Sequence, residues 1–144
     1  MPFTPRNPAY EAVARESYAR QTFMLHLGAE LGEIAPSRAE LRLKARKELT
    51  QQNGFLHGGV VAALADVAGG YAAFTLFEAG ADILTVEIKI NFIAPAAGEA
   101  LIARGEVIKS GRTLSIVRSE VFAVNDGTET LCAAGLGSLM TRRP

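Results

Sequence analysis

From Val60 to Phe77 the chain carries a single charged residue, Asp66, and no proline. Few folds accommodate such a run. It is long enough to span a bilayer, but a carboxylate inside a membrane is costly, and the strand-like segments that follow suit a domain packed in water. The run therefore reads as a buried central helix, from about Gly58 to Glu78, with Gly80 as its stop. Val60, Leu64, Val67, Tyr71 and Phe74 recur at helical spacing and should pack on a sheet. Ala62, Asp66, Gly69, Gly70 and Ala73 form a small-residue side, with room for a neighbouring backbone or a ligand. Each interior glycine weakens a helix by about 1 kcal/mol relative to alanine, so close approach is the expected return.

Around this helix the pattern has period two. Ala39, Leu41, Leu43 and Ala45 alternate with charged residues over Arg38–Arg46, which predicts a half-buried strand. Thr85–Phe92, Glu99–Lys109, Thr113–Val124 and Thr128–Met140 predict four more. Asn125-Asp126-Gly127 is a hairpin turn signal, and the short links imply an antiparallel sheet. One long helix against such a sheet is an α+β domain. Before it, three prolines among the first eight residues lead into a predicted helix over Ala9–Leu27. The expected division is an N-terminal segment and helix over 1–26 and a main domain over 27–144, a single domain overall.

Charge and cysteine content remove several function classes. The 15 basic and 15 acidic residues cancel, so no general attraction to nucleic acid is expected. Cys132 is alone, which precludes an internal disulfide and fits a reducing, cytoplasmic setting. One cysteine and two distant histidines, His26 and His57, make no zinc site. The first eight residues lack the apolar core of a signal peptide.

Chemistry concentrates just before and within the central helix, in Gln51, His57-Gly58-Gly59 and Asp66. The first amides of a helix have no internal partners and attract negative charge. A lone acid in a helix of small residues needs a reason to be there. Together they supply an oxyanion donor and a nucleophile or base, the two parts that acyl transfer requires. Gly58 and Asp66 are eight residues apart, about 12 Å along a helix axis, and cannot both touch one reacting group. Two antiparallel copies of the helix could bring Gly58 of one chain to Asp66 of the other.

At these residues the chain resembles the hotdog-fold acyl-CoA thioesterases of the phenylacetic-acid-degradation type and their 4-hydroxybenzoyl-CoA relatives. The shared pattern is an amide residue, five others, His-Gly-Gly, and an acid nine residues after the histidine. Gln51, His57-Gly58-Gly59 and Asp66 fill it here, and Thr85–Pro95 resembles the family's central strand. The resemblance implies an antiparallel sheet wrapped around one long helix, and a homodimer with shared active sites, often paired into a homotetramer. It implies hydrolysis of a small aromatic or medium-chain acyl-CoA without metal or other cofactor. Gly58 N–H would bind the thioester carbonyl, and His57 would shape the loop that aims it. Gln51 would position water or substrate, and Asp66 would act as nucleophile or general base. Thr85 would hold a water. Lys109, Arg112, Arg142 and Arg143 are candidates for the phosphates of CoA, with Arg112 and Lys109 favoured.

Plainer roles stand beside these. Asp66 could be a paired buried acid, His57 a helix cap, and Gly58-Gly59 a tight loop entry. Tyr71, Phe74 and Cys132 read as core, and His26 as structural or exposed. Two other functions compete: a hotdog enoyl-CoA hydratase or dehydratase, and a non-catalytic acyl-CoA-binding protein.

Overall fold

The computed structural model describes residues 2–144. Two short helices, α1 (Tyr10–Ala19) and α2 (Thr22–Leu27), precede strands β1 (Ala29–Ala35) and β2 (Arg38–Lys44). A 3-10 turn (Lys47–Leu49) leads to the long helix α3 (Gly58–Phe74). Strands β3 (Asp82–Phe92), β4 (Ala100–Ser110), β5 (Leu114–Asn125) and β6 (Thr128–Arg142) follow. All six strands join one antiparallel sheet in the order β1-β2-β4-β5-β6-β3. The inner face of the sheet and α3 enclose the core, with Leu41, Leu64, Leu101, Val121 and Leu139 essentially inaccessible.

The predicted first helix is two. The backbone N–H groups of Arg20 and Gln21 close tight turns onto Ser17 and Tyr18, and the chain changes direction there. The break lets both pieces bury a face: Ala14 and Tyr18 from α1, Met24 and Leu27 from α2. Tyr18 donates its hydroxyl to the Ala29 carbonyl at 2.7 Å and packs edge-on to Tyr71. Burial pushes that phenol up to about 12. Tyr71 and Phe74 belong to the core, as their spacing suggested.

The four later strands form as the alternation predicts, but the first link among them is not a hairpin. β3 pairs with β6 at the sheet edge rather than with β4. Ile93 and Ala94 both donate to the Cys132 carbonyl, which keeps the chain on β6 beyond the end of β3. The link then passes Pro95, ties to Leu56 through the Ala96 carbonyl, and enters β4 after Glu99 has donated to Val124. β3 also carries a bulge between Thr85 and Glu87.

The small side of α3 does not all face outward. Ala68 and Gly69 press on the sheet. A Cβ on Gly69 would lie 2.7 Å from Val117 Cγ2 and 2.8 Å from Ser119 Oγ. One on Gly105 of β4 would lie 2.2 Å from the Ala68 carbonyl oxygen. The adjacent Gly70 meets nothing within 4 Å. Val67, expected in the buried stripe, is half-buried, and so are Ala62, Ala63 and Asp66. These four mark the open side of the helix. At 17 residues, α3 is also shorter than the predicted run, because the chain leaves the helix in turns beyond Thr75. No helix among the described residues is long and apolar enough to cross a membrane.

Candidate active site

The start of α3 is built from backbone. His57 is the N-cap, in extended conformation, and its Nδ1 accepts the Gly59 N–H at 2.8 Å. That bond requires a lone pair on Nδ1, which puts the proton of the neutral ring on Nε2. The His57 carbonyl accepts from Val60, and its own N–H donates to Leu49, so the turn is held on both sides. Between these engaged groups the Gly58 N–H has no hydrogen-bond partner among the described residues. The Phe92 ring stands 3.5 Å from where a Gly58 Cβ would be.

Gln51 opens the tight loop that leads there. Its N–H donates to the Phe55 carbonyl and its own carbonyl accepts from Gly54, which sits at φ 87°, a conformation suited to glycine. Its side-chain oxygen accepts from the Asn53 N–H. Gln51 and Gly58 line one cleft of about 380 Å³ with Phe55, Val61, Phe92 and Ile93. No charged residue lines it, and Cys132 forms part of its floor. Burial pushes the Cys132 thiol up, and its sulfur donates to the Val121 carbonyl, so it is a neutral packing group rather than a nucleophile.

Asp66 lies farther along α3, on the open side. Thr85 Oγ1 donates to Asp66 Oδ1 at 2.7 Å. Thr85, the residue expected to hold a water, thereby holds the acid directly. Within one chain Gly58 and Asp66 remain two turns apart on the same helix, as the eight-residue spacing requires.

The basic candidates lie toward Asp66. Thr85 pairs with Leu139, and Leu139 with Ser115, which pairs with Ser110 at the turn holding Arg112. Lys109 and Arg112 are exposed there. Gly58 lies toward the other end of β4, where Leu56 donates to the Ala96 carbonyl just before that strand begins. Arg143 is occupied by Glu78 and the Arg112 carbonyl, whereas Arg142 is exposed at the end of β6. His26 is exposed, and its carbonyl accepts from Arg46.

The reading of the sequence missed Phe92 and the cleft wall it forms with Phe55 and Ile93. The available signal was three large apolar residues at element ends, where core positions are scarce.

A six-stranded antiparallel sheet packed on one long helix defines the hotdog class of α+β domains. The thioesterase superfamily model matches residues 53–130, more than half of the chain. A thioesterase family protein from Silicibacter pomeroyi superimposes with a TM-score of 0.92 at 44% identity, covering 94% of this chain and 99% of that one. Human acyl-coenzyme A thioesterase 13 is 33% identical over 73% of this chain and 74% of its own length. The E. coli PaaI protein from the phenylacetic acid degradation operon shares the fold, with a TM-score of 0.81 at 22% identity over 91% of each chain. The chain belongs to the thioesterase superfamily and is a thioesterase of the hotdog fold.

Proposed function

We propose that this protein is a cytoplasmic acyl-CoA thioesterase that releases a small aromatic or medium-chain acid and CoA, working as a homodimer with shared active sites. The observation that carries this reading is the unpartnered Gly58 amide at the start of α3, beside an uncharged cleft. A thioester carbonyl gains charge on oxygen as it is attacked, and an amide already stripped of partners needs no reorganisation to bind it. The uncharged cleft suits an acyl group, and the basic residues near Asp66 suit the phosphates.

In this mechanism Gly58 of one subunit polarises the carbonyl and Asp66 of the other attacks it or activates water. Thr85 orients Asp66 through the 2.7 Å hydrogen bond. Gln51 positions water or the thioester through its side-chain amide, and His57 keeps the Gly58 amide aimed. Arg112 and Lys109 bind the CoA phosphates. Two features support the shared site. Ala62, Ala63, Asp66 and Val67 leave the helix half-open. The edge strand β3 exposes Leu84, Val86, Ile88 and Phe92, as a strand awaiting a partner does. The hydratase reading is weaker, because His57 spends Nδ1 on the Gly59 amide rather than on substrate.

The test is thiol release from a panel of acyl-CoAs by the native protein and Asp66→Asn. Loss of turnover with retained substrate binding is expected. Undiminished turnover in the variant, or turnover by a monomer, would remove the shared site.

A further inference from the structure

We propose that Phe92 selects which acyl groups reach the Gly58 amide. It admits a thioester whose carbonyl is followed by an unbranched methylene, and turns away one that carries a branch or a ring on that carbon. The inference rests on the acyl-CoA reading above, with the carbonyl oxygen on the Gly58 N–H, and adds the shape of the acyl group at a single atom.

Phe92 is the last residue of β3 and pairs with Ala133 of β6. The chain beyond it is pinned. Ile93 and Ala94 donate to the Cys132 carbonyl at 2.8 and 3.3 Å, and the Ala96 carbonyl accepts from Leu56 at 2.9 Å. Cys132 is itself the extra residue of a bulge in β6, since Val121 pairs with Ala133 and Phe122 with Leu131. A bulged residue drops out of the ladder between its two strands, and here its carbonyl takes the two donors that follow Phe92. The ring therefore hangs from backbone held on both sides of the link.

That ring stands where the approach to the amide is tightest. Its Cε1 and Cζ each lie 3.5 Å from the point a Gly58 Cβ would occupy. Beyond the helix and the immediate neighbours, no other atom of the described residues comes within 4 Å of that point. On the next residue, His57 Nδ1 is 3.0 Å from where a Gly59 Cβ would be. A carbonyl bound to the Gly58 N–H directs its sulfur toward CoA and its α-carbon into the uncharged cleft. With ordinary bond lengths and hydrogen-bond geometry, that carbon lies within about 5 Å of the Gly58 nitrogen, beside the Phe92 ring. A hydrogen there fits. A methyl group or a ring bonded there competes with the phenyl edge for the same space. Farther in, the cleft opens to about 380 Å³ along Phe55, Val61, Ile93 and Cys132. Bulk is thus excluded next to the carbonyl and accepted beyond it.

Within one chain the ring has little other use. It is 58% exposed, and the aromatic contacts that link Tyr18, Tyr71, Phe74 and Phe77 do not include it. One misplaced carbon in an apolar pocket changes kcat/KM by about 10–200-fold, enough to be read directly.

Two substrate pairs test the role. Butyryl-CoA and isobutyryl-CoA have the same atoms and differ only in branching beside the carbonyl. Phenylacetyl-CoA and benzoyl-CoA differ by the methylene between ring and carbonyl. Native protein should favour the first member of each pair by about tenfold or more in kcat/KM. Phe92→Ala should reduce both ratios to about threefold or less, by speeding the second member. Phe55→Ala, in the same cleft but away from Gly58, should leave both within about twofold of native. A ratio measured on one preparation does not depend on the fraction folded. Equal rates in native protein, unchanged ratios in Phe92→Ala, or the same loss in Phe55→Ala would each overturn the proposal. Thiol release without discrimination within the pairs would remove the role of Phe92 alone. No release from any acyl-CoA would remove the acyl-CoA reading as well.

Discussion

The two sides of α3 are made of similar residues for different reasons. Toward the sheet, Ala68 and Gly69 are small because β4 and β5 lie against them; a methyl group on Gly105 would overlap the Ala68 carbonyl. Toward the outside, Ala62 and Ala63 are small and only half-buried, and the neighbouring Gly70, though buried, has open space where a Cβ would stand. Smallness on the first side is a requirement of folding. On the second no such overlap demands it, and it flanks the one acid of the helix.

The largest effect that separates the sides is catalytic. Asp66→Asn should lower thiol release by about 10²–10⁴, the usual range for a proton-transferring group, with an unchanged circular dichroism spectrum and melting temperature. A matching fall in stability would make Asp66 a structural residue and erase the contrast. Gly105→Ala should act in the opposite sense, costing about 3 kcal/mol or more by overpacking against backbone, measured by urea denaturation. Gly70→Ala sharpens the point. One residue beyond Gly69, with open space where a Cβ would stand, it should leave chain folding intact or stabilise it by up to about 1 kcal/mol, measured by the same urea denaturation. Thr85→Val removes the hydrogen bond to Asp66 while keeping the side chain's shape. A fall of about tenfold in kcat is expected, equivalent to about 1.4 kcal/mol for one hydrogen bond to a charged group.

The smallest effect lies on the outer face. Arg104 holds the Glu129 carboxyl below its ordinary value. A lowered carboxyl adds stability that is complete above the ordinary carboxylate range and disappears as pH falls through the folded-state value. The melting-temperature difference between native protein and Glu129→Gln should therefore be present at pH 7 and vanish in acid. Because the pair is exposed, it should also shrink in high salt.

Period alone was enough to read α3 and the last four strands, since apolar residues recur there at 3.6 or at 2. What escaped depends on neighbours distant in sequence. The break at Arg20–Gln21 exists so that Tyr18 can reach Ala29 and Met24 can still turn inward. The β3–β4 link has hairpin length, and only the hold of Cys132 on Ile93 and Ala94 shows that it crosses. Gly69 and Gly70 look alike in a sequence and point 100° apart on a helix. The site divides in the same way. The order of Gln51, His57-Gly58-Gly59 and Asp66 stood out because it is local. The Thr85 contact joins residues nineteen apart, and Phe92 over Gly58 joins residues farther apart still.

The extra residue in β3 has a consequence for how this strand can change. Thr85 is odd-numbered and Phe92 even-numbered, yet one reaches Asp66 and the other stands over Gly58. A regular strand would send them to opposite faces. The bulge between Thr85 and Glu87 resets parity midway and lets both turn toward α3. Removing Val86 would therefore not shorten the strand harmlessly. It would turn one end over, and the chain would keep the residue holding its acid or the one beside its bare amide, but not both.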